Sequence, residues 1–321
     1  MNQMRGAFAL LAAAVVVTAL LSGCGDDGSA QFPLQSVSER ASPAADRTIV
    51  YAAFAGTGQL FVFSIQDNGS NNKLLTPLDS DGDLSNDGGF HPAWSPDAST
   101  IAFVRTDGGN NDVFTMGSGG GTATPLTTDT NSDMHPCYSR QGGKIAFVSN
   151  RAGTNDIWIM DPNGTNQVRV TNLPGDDAAD DQWPCFDDTG NFIAYQSTAE
   201  DPADPDAVED TDIWVVEIAN PANRTNLTKG VQNSSNQGAP SWSPDGTKIL
   251  YHDDRAGSFD IWVMDSNGSN MTQLVDNPLS QGFPVWYSDG SRFAFVEARA
   301  IWTAAADGSD LTQVTRSLVQ P

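Results

Sequence analysis

Histidine and aromatic residues recur in this chain directly before a proline. The residues in that position are, in chain order, His91, His135, Trp183, Ala239 and Phe283. The third histidine, His252, stands elsewhere. Imidazole nitrogens are common ligands of zinc and other transition metals. Aromatic rings with a few polar groups also line binding pockets. The two interpretations are therefore a metal site and, the one we favour, a polar and aromatic rim that binds a ligand.

A second group of residues has the spacing of a calcium loop. Carboxylates alternate at Asp79, Asp81, Asp83 and Asp87, and hard oxygen ligands at such intervals suit Ca²⁺. The twelfth position of this loop is Phe90, where an EF-hand has Glu, and no glycine occupies the sixth. Calcium is thus the one cofactor that the sequence indicates, at a weak candidate site. The competing interpretation is a solvated acidic loop.

The prolines that follow these residues belong to an internal repeat. They recur at positions 92, 136, 184, 240 and 284, and each is followed by an aromatic residue two positions later. The segments 92–97 and 240–246 are near copies, segment 284–290 is looser, and a fainter first copy lies near residues 41–51. Repeats of this length are typical of propellers and solenoids.

Three short apolar runs follow each copy, as in segments 249–251, 261–264 and 271–274. They have the length and the β-branched or aromatic content of strands. Asp-Gly and Asn-Gly pairs between them suit tight hairpins. Six units of about 46 residues with four strands each predict an all-β fold, a six-bladed β-propeller of four-stranded antiparallel blades. Seven of the eight tryptophans fall at equivalent positions and are interpreted as core: Trp94, Trp158, Trp214, Trp242, Trp262, Trp286 and Trp302.

In a propeller, the candidate residues are expected to lie close together. The position before the repeated proline is expected on the rim of the central channel, so His91, His135, Trp183 and Phe283 would share one mouth, with His252 near it. Trp183 is the tryptophan outside the repeat positions, and we expect it to be an exposed anchor. Recurring Arg-x-Gly-x-x-Asp hairpins, from Arg151 and Arg255, are interpreted as local ion pairs.

Two cysteines, Cys137 and Cys185, occupy equivalent positions on innermost strands of neighbouring blades. An exported pair of cysteines favours a disulfide. The other copies have Ala93, Ser241 and Val285 there, so a small side chain satisfies the site. Because such strands diverge, the sequence favours two buried thiols.

Segment 242–246, Trp-Ser-Pro-Asp-Gly, followed by segment 261–265, Ile-Trp-Val-Met-Asp, resembles the repeats of TolB-like periplasmic propellers. The resemblance covers roughly residues 40–318. Among such propellers, the oligogalacturonate lyase type holds a metal with several histidines, which implies a metal-dependent enzyme acting on polysaccharide as the alternative function. The chain lacks a Gly-x-Ser-x-Gly elbow, so a hydrolase of the prolyl oligopeptidase kind is not indicated.

The N-terminus has the features of an export signal. Arg5 precedes an apolar run from Ala7 to Leu21, which is short for a membrane span but suits a signal peptide. The run ends in Leu21-Ser22-Gly23-Cys24, which resembles the bacterial lipoprotein processing site and implies lipidation of Cys24. The sequence thus predicts a signal peptide at 1–23, the lipidated cysteine and a linker at 24–46, and the propeller at 47–321. Gly25 after the cysteine favours the outer membrane.

The chain has 40 acidic and 16 basic residues, a net charge of −24. Such a field repels phosphate backbones, so nucleic acid is not expected as a partner. The sequence favours a lipid-anchored monomer in the cell envelope, on the periplasmic face of the outer membrane or on the cell surface. Its expected role is a non-catalytic scaffold for an envelope protein or peptide, in preference to an enzyme.

Overall fold

A computed structural model describes residues 37–39, 47–55, 59–76, 88–107, 109–171, 179–199, 210–231 and 235–315. Within these residues, 24 strands form six four-stranded antiparallel sheets, and no helix is assigned. The predicted all-β six-bladed propeller is confirmed. No helix in the described part of the chain is long and apolar enough to cross a membrane. Cys24 and the acidic loop with Asp79, Asp81, Asp83 and Asp87 lie outside the described residues.

Blades 1 to 3 are successive stretches of chain, each with its four strands in sequence order. Their strands are, in blade 1, β1 (Val37–Glu39), β2 (Thr48–Ala55), β3 (Gln59–Gln66) and β4 (Lys73–Leu74); in blade 2, β5 (Phe90–Trp94), β6 (Thr100–Asp107), β7 (Asn110–Gly117) and β8 (Thr124–Pro125); in blade 3, β9 (Asp133–Tyr138), β10 (Ile145–Ser149), β11 (Asp156–Met160) and β12 (Val168–Arg169).

Blades 4 to 6 repeat this order. Their strands are, in blade 4, β13 (Asp181–Phe186), β14 (Phe192–Ser197), β15 (Asp212–Glu217) and β16 (Asn220–Asn226); in blade 5, β17 (Gln237–Trp242), β18 (Lys248–Asp253), β19 (Asp260–Asp265) and β20 (Thr272–Val275); in blade 6, β21 (Gln281–Trp286), β22 (Arg292–Glu297), β23 (Ala300–Ala305) and β24 (Thr312–Gln313).

The hairpin between the first two strands of a blade is set by its turn residues. In blade 5, Asp245 accepts hydrogen bonds from the Ser243 hydroxyl at 2.6 Å and the Thr247 backbone N–H at 3.1 Å. These bonds hold the pKa of Asp245 below its usual range. Gly246 follows with a φ of +69°. An aspartate that folds back on the backbone and a glycine with positive φ together close a tight turn.

The hydrophobic core lies between blades. Within the described residues, six clusters of buried side chains are found, one at each boundary between neighbouring blades. At the boundary of blades 4 and 5, for example, Ile213 packs with Trp242 and Tyr251. The tryptophans predicted as core are buried at positions 94, 214, 242 and 286 and half-buried at positions 158, 262 and 302. Stacking of blades thus buries the faces that one sheet leaves open.

A glycine in the turn between the third and fourth strands permits close approach to the preceding blade. Gly164 in blade 3 has a φ of +84°. A Cβ at this position would lie 2.5 Å from the carbonyl oxygen of Leu126, at the end of blade 2. Gly268 and Gly308 stand in the same relation to Leu227 and Leu274. These turns therefore hold blades 3, 5 and 6 against the preceding blade through backbone contact.

The ring closes without exchange of strands, because blade 1 contains only consecutive strands from the N-terminal part of the chain. Strand β1 lies inside residues 24–46, which the sequence analysis assigned to a linker, so the first blade begins ahead of residue 47. Arg47 joins the last blade through an ion pair of 2.8 Å with Asp289 and a hydrogen bond to Ser291. The turn at Gly69 packs on the carbonyl of Val314. Closure is thus achieved by packing and polar contacts.

The arginine hairpins form ion pairs, but with other partners than predicted. Arg151 pairs with Asp129 at 2.7 Å and Asp133 at 2.8 Å instead of Asp156. Asp156 pairs with Arg169 at 2.7 Å. Arg255 pairs with Asp253, two residues earlier in the chain. Asp156 and Arg169 lie on adjacent strands, where side chains on one face of a sheet meet. Arg151 and Arg255 lie in the turns that follow β10 and β18.

Candidate functional site

The residues before the repeated prolines share an unusual backbone conformation. His91, His135, Trp183, Ala239 and Phe283 all have positive φ angles, between 48° and 55°. Each lies in the first strand of its blade, where the register with the second strand breaks at the residue and its proline. Non-glycine residues rarely adopt this region, and bulges re-aim side chains. In each of blades 2 to 6, the bulge therefore turns one side chain away from the sheet.

Four of these side chains meet at the channel. The rings of His91 and His135 have centroids 4.0 Å apart. Trp183 stacks on His135 at 3.8 Å with an interplanar angle of 23°. Phe283 approaches Trp183 at 4.8 Å. The structure thus brings these four side chains together and joins blades 2, 3, 4 and 6 through one aromatic cluster. We call these four side chains the ring cluster.

The ring cluster borders a cavity of about 130 Å³. Its wall consists of the five residues before the prolines, the prolines themselves and the residues that follow them, which are Ala93, Cys137, Cys185, Ser241 and Val285. Ala239 is small, so blade 5 leaves a gap in the ring of aromatic side chains. Trp183 is half-buried by its stacking, where the sequence predicted an exposed side chain. The site is a small pocket with aromatic and apolar walls.

Burial keeps the histidines of the site neutral. His91 and His135 are each 7% exposed. Burial lowers the pKa of His135 to about 3, and burial together with the neighbouring His135 lowers the pKa of His91 well below its usual value. Within the described part of the chain, neither Nδ1 atom has a hydrogen-bond partner. Among the described residues, each of these neutral imidazoles therefore contributes a buried Nδ1 without a hydrogen-bond partner to the site.

His252 lies beside the ring cluster on β18. Its ring contacts Phe259 at 4.8 Å and Phe283 at 5.6 Å between centroids. The backbone N–H of Phe283 donates to its Nδ1 at 3.4 Å. A Cβ on Gly238 would lie 2.5 Å from its Nε2, so the glycine makes room for the imidazole. Burial lowers the pKa of His252 to about 4. His252 therefore supports Phe283 and does not line the cavity.

The residues that the structure describes include no group of three or more His, Cys, Asp or Glu side chains placed to hold a metal ion. The ring cluster contributes two imidazoles, and His252 stands behind Phe283. The candidate calcium ligands lie outside the described residues and stay a prediction.

Sequence reasoning missed a second cavity, of about 550 Å³, on the side of blade 2. Phe114 lies at its base, with the Arg105 guanidinium carbon 4.0 Å from the ring centroid. Pro125 pairs with Phe114, where blade 3 pairs Arg169 with Trp158. Smaller side chains in blade 2 therefore leave space that is filled in blade 3. The signal in the sequence was the missing tryptophan on the third strand of this blade.

Comparison with known proteins supports the predicted resemblance. Residues 85–204 match the family model described as the TolB beta propeller domain. This segment spans blades 2 and 3 and the first two strands of blade 4. A comparison with curated protein sequences gave no match.

Solved propeller structures are similar to the chain in fold. A TolB-type protein of Agrobacterium tumefaciens shares 19% identity, with a TM-score of 0.57 over 70% of this chain and 79% of that protein. TolB of Acinetobacter baumannii shares 18% identity, with a TM-score of 0.58 over 75% of this chain and 54% of that protein. The tricorn protease shares 12% identity, with a TM-score of 0.63 over 88% of this chain and 26% of that protein.

Identities this low indicate a common fold and leave partners open. The family segment, the six four-stranded blades and the similar solved structures agree on one fold type. The chain is a six-bladed β-propeller, and its residues 85–204 match the TolB beta propeller domain.

Proposed function

We propose that this chain is an envelope lipoprotein whose propeller binds a protein or peptide segment at the ring cluster, without catalysis. The observation that carries the proposal is the convergence of His91, His135, Trp183 and Phe283 on one cavity. These residues vary between the blades, whereas the prolines after them recur. In a repeat protein, variable residues at one mouth are suited to recognition, while the repeated residues hold the architecture.

The size and chemistry of the cavity favour a single inserted side chain as the anchor of the partner. A volume of about 130 Å³ is close to the roughly 150 Å³ of an apolar cavity that holds one benzene ring. Its walls are rings, prolines and small apolar groups, which favour an apolar or aromatic anchor.

The tethered location follows from the sequence features of the N-terminus. Lipidation of Cys24 would anchor the chain by several acyl groups, each methylene contributing about 0.8 kcal/mol. The short segment before the first blade would then hold the propeller close to the membrane. A net charge of −24 favours cationic partner surfaces through long-range attraction. We propose the periplasmic face of the outer membrane or the cell surface as its place, and a monomeric state.

Selection of short peptides on the immobilised protein, followed by affinity measurement, tests the binding proposal. Trp183→Ala is expected to weaken binding of the selected peptide by about 1 kcal/mol or more, roughly a fivefold rise in Kd, because it removes an aromatic ring from the pocket wall. Phe192→Ala is the matched control. Phe192 is 36% exposed. The pairing of β14 with β13 and β15 places Phe192 at the end of blade 4 that lies away from Trp183.

Both variants should keep the far-UV circular dichroism of the wild type. Equal affinity of the peptide for Trp183→Ala, Phe192→Ala and wild type would place the binding surface away from the ring cluster.

A further inference from the structure

The wall of the channel cavity contains two thiols that the binding proposal does not use. Cys137 and Cys185 follow the prolines of blades 3 and 4 and line the cavity. Both are free and partly exposed. The equivalent residues in blades 2, 5 and 6 are alanine, serine and valine, so the pair is particular to one blade boundary.

The repeated geometry aims this side chain at the next blade. In blade 5, the hydroxyl of Ser241 accepts a hydrogen bond from the backbone N–H of Trp286 in blade 6, at 3.3 Å. In blade 4, the Sγ of Cys185 accepts one from the backbone N–H of Trp242 in blade 5, at 3.5 Å. Cys137 packs against the side-chain cluster that contains Phe186, the residue after Cys185. The thiol of Cys137 is therefore brought to Cys185.

Cys137 and Cys185 both line the channel cavity, and Cys137 packs at the boundary of blades 3 and 4. The neighbouring thiol raises the pKa of Cys137 and lowers the pKa of Cys185. Cys185, which also accepts the Trp242 N–H, is thus the better nucleophile of the pair, since the thiolate is the reactive form.

We propose that Cys137 and Cys185 form a redox couple that a low-molecular-weight disulfide oxidises to a bond between blades 3 and 4. The Cys185 thiolate attacks one sulfur of the reagent, forms a mixed disulfide and releases the first thiolate. The released thiolate takes the proton of Cys137. The Cys137 thiolate then attacks the Sγ of Cys185 and expels the second reagent thiolate. This thiolate takes up a proton from the solvent, which balances the proton that Cys185 lost to the solvent at the start. Two reagent thiols are formed for each protein disulfide.

The bond would lie next to the pocket. His135 and Trp183, which stack at 3.8 Å, each precede one of the two cysteines by two residues. Oxidation would therefore fix the distance between the inner strands that carry this stack. The proposed export would place the couple in an oxidising compartment, but the chemistry does not depend on the proposed binding function.

The test treats the reduced, purified full chain with 2-hydroxyethyl disulfide and maps cysteines by peptide mass spectrometry without reduction. We expect a peptide pair linked through Cys137 and Cys185, two equivalents of released 2-mercaptoethanol, and reversal by dithiothreitol. The bond closes a loop of about 50 residues, so the melting temperature should rise by on the order of 5 °C.

The repeat supplies matched controls. Cys137→Ala introduces the residue that blade 2 has at this position, and Cys185→Ser the residue that blade 5 has. Both should fold. Each should give only a mixed disulfide at the remaining cysteine, because no second thiol is left to displace the reagent. The proposal of a redox couple would be overturned by mixed disulfides at both cysteines of the wild type with no linked peptide. It would also be overturned if both thiols stayed unmodified.

Discussion

At the scale of single residues, the site depends on a backbone conformation that its side chains do not favour. Five residues before prolines have φ angles near +50°, a region in which non-glycine residues are uncommon. The sequence predicted which side chains gather at the channel, because their relation to the proline is visible in the repeat. It could not predict the conformation that points them there, nor that Trp183 is half-buried, because both arise from contacts between blades.

The buried histidines predict a dependence of stability on pH. The folded-state pKa of His135 is about 3, against an ordinary value near 6.5 in the unfolded chain. The folded state thus stays neutral while the unfolded state gains a proton. The contribution of His135 to stability is complete above pH 6.5 and is lost as the pH falls towards 3. It should decrease by about 2 kcal/mol between pH 7.5 and pH 5.

Urea unfolding of wild type and His135→Phe at both pH values measures this loss. Phenylalanine occupies the equivalent position in blade 6 with nearly the same φ, so the fold should persist. The variant should lose less stability than the wild type on acidification, by about 2 kcal/mol. Parallel losses in both proteins would mean that His135 titrates normally.

At the scale of elements, the turn between the third and fourth strands does more than reverse the chain. Its glycine lets the turn touch the backbone of the preceding blade, as Gly164 touches Leu126. The Asn-Gly pairs predicted the hairpins, but their contact with another blade is a tertiary feature. The ion pairs likewise depend on tertiary contacts that the sequence did not predict. Sequence proximity suggested Arg151 with Asp156, whereas the sheet places Arg151 beside Asp129 and Asp133.

Alanine substitution separates the two roles of this glycine. Gly164→Ala introduces both an unfavourable φ and a clash with the Leu126 carbonyl. Gly153→Ala also places a side chain on a residue with an unfavourable φ, here +117°, but no atom lies within 4 Å of the added Cβ. The φ alone should cost about 1–2 kcal/mol in each. Gly164→Ala should lose a further 1–3 kcal/mol or so in urea unfolding, from the forced shift between blades. Equal losses would show that the turn does not hold the blades together.

At the scale of the whole molecule, the number of blades was readable from the sequence and the closure of the ring was not. Six copies of one motif predicted six blades, and the structure has six. Closure depends on β1, a three-residue strand without a repeat signature, and on the contacts of Arg47 with Asp289 and Ser291. A motif search finds the recurring part of a propeller, whereas its seam is particular to each chain.

The proposed tether predicts the behaviour of the whole protein in cells. Cys24→Ala should leave an unprocessed precursor and shift the propeller out of the detergent-extracted fraction, because the acyl anchor requires the thiol. Immunoblotting of fractionated cells measures both effects. A variant that is processed and fractionates like the wild type would contradict the lipoprotein assignment.

The central claim, that the ring cluster binds a protein or peptide, is tested most directly by photo-crosslinking in intact cells. A photoreactive phenylalanine analogue is placed at position 283, inside the ring cluster, or at position 192, at the other end of blade 4. Irradiation should give one discrete adduct for position 283, identified by mass spectrometry as the same envelope protein in repeated experiments, and none for position 192. No adduct at position 283, or the same adducts at both positions, would contradict the account.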